Sequence, residues 1–103
     1  MAFSHHRLSS QNADVDRALD ARVTGGDLVA LAVHRDADVR AAVASRVDAP
    51  MATLISLAHE SDACIQWALV RNPSSPLWVI QALAESKQEM IRNRALVRLR
   101  AAA

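Results

Sequence analysis

The chain has 103 residues, 51% of them hydrophobic but only 3% aromatic, with a formal net charge of +1. That is enough for one small domain whose core is filled by Ala, Val, Leu and Ile rather than by rings. The single cysteine, Cys64, excludes an internal disulfide and any iron–sulfur or Cys-based zinc cluster built by this chain alone. No apolar run reaches the length of a membrane span and Met1 to Ser10 is polar, so a cytoplasmic setting is expected.

In chain order, residues 1–11 read as a flexible arm and 12–103 as one helical domain. Asn12 or Asp14 is placed to cap a first helix, Asp14 to Val23, with an apolar stripe of Val15, Ala18, Leu19 and Val23. Its text, DVDRALDARV, lines up with DVRAAVASRV at Asp38 to Val47, so it reads as the second half of a truncated unit. Thr24-Gly25-Gly26 breaks the helix, and Asp27 is expected to cap the next.

Three fuller units follow: Asp27 to Pro50, then to Pro76, then Leu77 to the end. The first holds helices near Leu28–Val33 and Ala37–Val47. The second has one helix around Leu54, Leu57 and Ala58 and another around Ile65, Ala68 and Leu69, closed by Asn72-Pro73. Pro50 and Pro76 fall where the rules for helix starts want proline, with Ser75 a suitable cap. Ser86-Lys87-Gln88-Glu89 reads as a capping box for the last helix. Shifting Leu54, Leu57, Ala58, Ile65 and Leu69 by 26 residues lands on Leu28, Leu31, Ala32, Val39 and Val43, or on Ile80, Leu83, Ala84, Ile91 and Ala95. Apolar positions recurring at such a period predict an all-α fold of stacked two-helix units, each burying its spare apolar face on a neighbour.

VRAAVA at Val39 to Ala44, with LVRNPSSPLWVIQALAES at Leu69 to Ser86, resembles the leucine-rich repeat variant family, a relative of HEAT repeats. The likeness covers roughly Asp14 to the C-terminus. The turn Asn72-Pro73-Ser74-Ser75-Pro76 matches that family's Asn-Pro-x-x-Pro well. Arg46-Val47-Asp48-Ala49-Pro50 keeps only the last proline, and Arg98-Leu99 stands where Asn-Pro would fall. The resemblance implies a short right-handed α-solenoid with a concave binding face. The family archetype's cysteine cluster has no counterpart here, so no redox role carries over and no cofactor is expected.

The candidate site residues are arginines and tryptophans. Aligned second helices put Arg17, Ala41, Trp67 and Asn93 at one position off the apolar stripe, making Trp67 an exposed binding anchor or a ring folded onto the core edge. Trp78 is expected on the other helix row, over the third unit. Arg22, Arg46 and Arg98 share a position near the end of the second helix, and Arg40, Gln66 and Arg92 share one near its start. Such a set would line a groove at the spacing of the units. Each of these arginines also has local uses: Asp36 lies four residues before Arg40, and helix C-terminal carbonyls attract cations.

Charge is split along the chain. Six Arg against nine acids make Met1 to Val70 −3, while Arg71, Lys87, Arg92, Arg94, Arg98 and Arg100 against Glu85 and Glu89 make the remainder +4. This describes two solvated faces, or a basic end for an acidic partner or a phosphate backbone.

No motif for a nucleophile with its base, a phosphate loop or a metal-binding histidine pair stands out, so an enzyme is not expected. Cys64 reads as a small, semi-buried filler. The function expected is a non-enzymatic protein-interaction module. Arg40, Arg46, Trp67, Arg71, Arg92, Arg94 and Arg98 would receive an acidic or helical segment of a partner. Binding of a nucleic-acid backbone, as in the HEAT-like DNA glycosylases such units resemble, is the alternative, and the net charge of only +1 weighs against it. Ile91, Ala95, Leu96 and Leu99 leave an apolar stripe on the last helix for a second copy of the chain to cover, or for the stems of Arg92, Arg94, Arg98 and Arg100 to shield.

Overall fold

The computed structural model describes residues 13–103, and every regular element among them is helical. Residues 13–19 form α1. It is followed by α2 (Gly26–Leu31), α3 (Ala37–Ala44), α4 (Met51–Leu57), α5 (Ala63–Arg71), α6 (Leu77–Leu83) and α7 (Glu89–Ala102). The arm expected at residues 1–11, and Asn12 as a cap, lie outside the described residues. The helices α3, α5 and α7 stack side by side, with the most extensive contact between α3 and α5. Against them, α2 and α4 pack on α3, while α6 packs on α5 and α7. The shortest dimension, 19 Å, is that of two helix layers of about 10 Å each.

The core follows the spacing seen in the sequence. Leu28, Leu54 and Ile80 are buried, as are Leu31, Leu57 and Leu83 in the same layer. Val39, Ile65 and Ile91 fill the facing layer with Val43, Leu69 and Ala95. Burying one such Leu contributes about 1.5–3 kcal/mol. Alanines at Ala18, Ala44 and Ala95 are fully buried, which lets the second helices approach closely.

Helix starts are set less by side-chain caps than the sequence suggested. Asp36 and Asp62 cap α3 and α5, accepting from the backbone N–H groups two and, for Asp62, also three residues on. Pro50 and Pro76 are the N-caps of α4 and α6, one residue before the first helical turn. Asp27 does not cap α2. The N-cap is Gly25, at φ 53° and ψ −124°, a backbone conformation open to glycine. Ser75 does not cap α6 either: its hydroxyl donates to the Leu69 carbonyl in the last turn of the preceding helix at 2.7 Å. The capping box is also absent, since Ser86 Oγ accepts from the Gln88 N–H and donates to Gln66 Oε1.

The second helices are shorter than expected, and the reason joins one helix to the next. The α3 helix stops at Ala44 rather than Val47, and α1 stops at residue 19 rather than Val23. Each leaves carbonyls that a later side chain takes up. Arg46 Nη1 donates to Ala18 O and Asp20 O, both at 2.9 Å. Asn72 Nδ2 donates to Ala44 O at 2.8 Å and Arg46 O at 2.9 Å. Arg98 Nη1 donates to Val70 O and Asn72 O, both at 2.9 Å. In all three cases the acceptors lie 28 and 26 residues earlier. This register corrects the alignment of the first helix. Asp20, not Arg22, occupies the place of Arg46, and Val15 rather than Arg17 falls in line with Ala41 and Trp67. Arg22 instead turns back to chelate Asp20.

A second ladder runs near the start of the same helices. Arg40 donates to His34 O, Gln66 to Glu60 O and Arg92 to Ser86 O, each six residues back. The side chains at 34, 60 and 86 in turn meet those twenty residues earlier. These pairs are His34 with Asp14, Glu60 with Arg40, and Ser86 with Gln66. One slot thus holds a His–carboxylate pair, an ion pair and a neutral hydrogen bond. Arg40 therefore pairs with Glu60 across the stack and not with Asp36 on its own helix.

Candidate partner-binding face

The two ladders decide which arginines remain for a ligand. Arg46 is buried, and its guanidinium uses all five N–H groups. Two go to Ala18 O and Asp20 O, one to Val23 O, and two grip Asp48 side-on. Arg46 holds the Asp48 carboxyl below the usual carboxylate range through those two bonds. In the same way Arg22 lowers Asp20 to about 2. Arg40 and Arg98 are half-buried and engaged with the chain, and Arg92 gives one nitrogen to Ser86 O. Of the six arginines and one tryptophan named from the sequence, four arginines thus act as internal clamps on backbone carbonyls or acids.

Trp67, Arg71 and Arg94 are placed differently. On α5, Trp67 is half-buried against the core edge, and the Arg71 guanidinium carbon lies 5.4 Å from its ring centroid. This is cation–π geometry, worth about 0.5–1 kcal/mol at an exposed site. Arg71 and Arg94 are exposed, and neither makes an ion pair or hydrogen bond to any described residue. The stacking restricts the Arg71 side chain while leaving its N–H groups open to an anion.

Grooves flank the ring on both sides. One, of about 380 Å³, is lined by Ser45, Trp67, Ala68, Arg71 and Asn72. The other, of about 220 Å³, is lined by Ala63, Cys64, Trp67, Gln88, Met90 and Ile91. Trp67 is the wall they share. Cys64 is exposed on this face rather than semi-buried, Met90 lines the same groove from α7, and Val97, further along α7, is exposed in line with Arg71. The sequence reading named neither Met90 nor Val97, although each sits 26 residues after an exposed residue of α5, Cys64 and Arg71.

The remaining candidates lie elsewhere. Trp78 is on α6, partly exposed, its ring tilted at 44° to His59 with centroids 6.5 Å apart. His34 is held between Asp14 and the Asp36 N–H, and no three His, Cys, Asp or Glu side chains among the described residues gather to hold a metal. The apolar stripe of α7 is divided: Ile91 and Ala95 are buried, Leu99 packs on the core, and Leu96 is 39% exposed. No helix among the described residues is long and apolar enough to cross a membrane. Comparison with family models, curated proteins and solved structures returned no match.

Proposed function

We propose that the chain is a short right-handed α-solenoid serving as a protein-interaction module. The layer of α3, α5 and α7 is its inner, partner-binding face. The observation that carries this reading is Trp67 with Arg71 stacked on it, set between two grooves on that layer. Trp and Arg are the residues most enriched at binding hot spots, and a held guanidinium loses less entropy on meeting a carboxylate. The recurrence of core positions and of both hydrogen-bond ladders at 26 residues supports the solenoid. Close stacking of the second helices supports their lying on the inside of the curve.

The partner is another protein presenting an acidic or helical segment. A nucleic-acid backbone is the less favoured ligand, because Arg40, Arg46 and Arg98 spend donors on the chain itself. The test is capture of partners from the native host by the wild-type chain and by the Trp67→Ala and Arg71→Glu variants. A partner held by the wild type and lost from both variants supports the reading. Capture indifferent to both substitutions, or tight binding of labelled duplex DNA or RNA at 150 mM salt, on the order of physiological ionic strength, overturns it.

A further inference from the structure

We infer that the groove between α5 and α7 sets specificity on this face by taking one bulky apolar side chain from a partner segment rich in Asp or Glu. This deepens the function proposed above and rests on it. At about 220 Å³ the groove is smaller than the sites of drug-sized ligands, which start at about 300 Å³, and suits a single large side chain. Buried Ile91 lines it together with Ala63, Trp67 and Met90, while Gln88 supplies the one side-chain amide among the lining groups. Met90 is 67% exposed, an unusual position for a thioether on a free helix face. Its unbranched, polarizable chain can repack around guests of different shape. Val97, two turns along α7, is a second exposed apolar side chain on that face.

Charge selects the occupant. Arg94 lies between Met90 and Val97 on one face of α7, and Arg71 stands over Trp67 on α5. Both are exposed without an ion pair among the described residues. The acids around this face are engaged or turned away: the Asp62 carboxylate caps α5, Asp38, in line with Cys64 on α3, has a partner of its own, and Glu89, seven residues before Leu96, shares the far side of α7 with it. A basic segment would meet two like charges, and a purely apolar one would cover two guanidiniums without counter-charge. An apolar anchor with neighbouring carboxylates satisfies the groove and both arginines.

The test is selection of random 12-residue displayed peptides against the full chain. Calorimetry of the enriched synthetic peptides against wild type, Met90→Glu, Arg71→Glu and Trp67→Ala follows. Met90 and Arg71 are exposed, so circular dichroism should show both of those variants folded. The expected peptides carry a large aliphatic or aromatic residue within about four positions of Asp or Glu. Their affinity should fall about tenfold or more in Met90→Glu and in Arg71→Glu, the loss of one hot-spot contact. Peptides without acids, or binding indifferent to Met90→Glu, would overturn the inference. If such binding were still lost in Arg71→Glu, the proposed face would stand without this pocket. Failure to enrich any peptide, or enrichment of peptides indifferent to all three substitutions, would overturn both.

Discussion

The Asn72 side-chain amide donates to the Arg46 carbonyl at 2.9 Å, while the Arg46 side chain makes the same bond, at the same distance, to the carbonyl 26 residues before it. An amide and a guanidinium thus do one job 26 residues apart: each closes the open end of the helix before it. A helix that stops leaves carbonyls without their intrahelical partners, and the ladder converts those into contacts between neighbouring helices.

Substituting Arg46 should therefore lower stability. Arg46→Ala orphans the carbonyls of Ala18 and Val23, leaves Asp20 O with only the Val23 N–H, and leaves Asp48 without its guanidinium. Hydrogen bonds to a charged group are worth roughly 1.5–3 kcal/mol each and do not add fully, so a loss of about 3 kcal/mol is expected. Arg46→Lys should rescue little, because an ammonium cannot span that set. Arg46→Asn should retain more, as Asn72 shows how an amide fills the slot. Urea denaturation midpoints of the three variants check the order. Arg46→Lys at wild-type stability would contradict it.

Arg71 should behave in the opposite way. Its side chain's one polar or ring partner among the described residues is Trp67, so Arg71→Ala should change the melting temperature by no more than the effect of about 0.5–1 kcal/mol. Partner affinity should fall by much more. Thermal melting beside a binding titration separates the two effects.

Leu57 and Leu83 occupy equivalent, buried positions. Leu57→Ala and Leu83→Ala should each cost about 2–5 kcal/mol, a large share of a small domain's stability. Denaturant titration of both variants measures it, and an unchanged midpoint in either would show that its side chain does not support the core.

Gly25 and Gly26 should respond with opposite signs. A methyl group at either meets no atom within 4 Å, so space is not the issue. Gly25 sits at φ 53° and ψ −124°, where a side chain strains the backbone by about 1–3 kcal/mol. Gly26 is the first residue of α2, and Gly26→Ala should stabilise by about 0.4–1 kcal/mol. Melting temperatures moving apart for Gly25→Ala and Gly26→Ala confirm the assignment.

Acid should weaken the fold through Asp20 and Asp48. Both carboxyls titrate below their ordinary value of 3.8 because of bonds to Arg22 and Arg46, Asp20 at about 2. A depressed folded-state value means that their contribution is complete above pH 3.8 and is lost as pH falls towards 2. Denaturation midpoints from pH 5 down to 2 should drop, and Asp48→Asn should make the drop shallower. A decline beginning above pH 5 would point to other groups.

The end of the stack bears on self-association. Leu96 stands in line with Ala44 and Val70, which a following helix buries completely, yet it is 39% exposed. Arg92 and Arg100 lie one turn to either side of it, so it is a lone leucine between two charged residues. That leaves little apolar area for a two-fold interface, and sedimentation at micromolar concentration should show a monomer. A dimer that Leu96→Glu dissociates would instead establish pairing through α7.

The sequence by itself determined the all-helical fold, the 26-residue spacing of core positions from Leu28 to Ala95, and the helix starts at Pro50 and Pro76. These are properties of apolar period and backbone restriction, which residue types carry openly. It also brought Arg40, Gln66 and Arg92 into one position without showing their task. Only the tertiary structure decided which arginines are occupied within the fold. Arg46 and Arg98 both reach backbone carbonyls 26 and 28 residues away, and a carbonyl is present at every residue and so leaves no mark in a sequence. The face around Trp67 emerged for the same reason: its free cations became visible once the others were seen to be engaged.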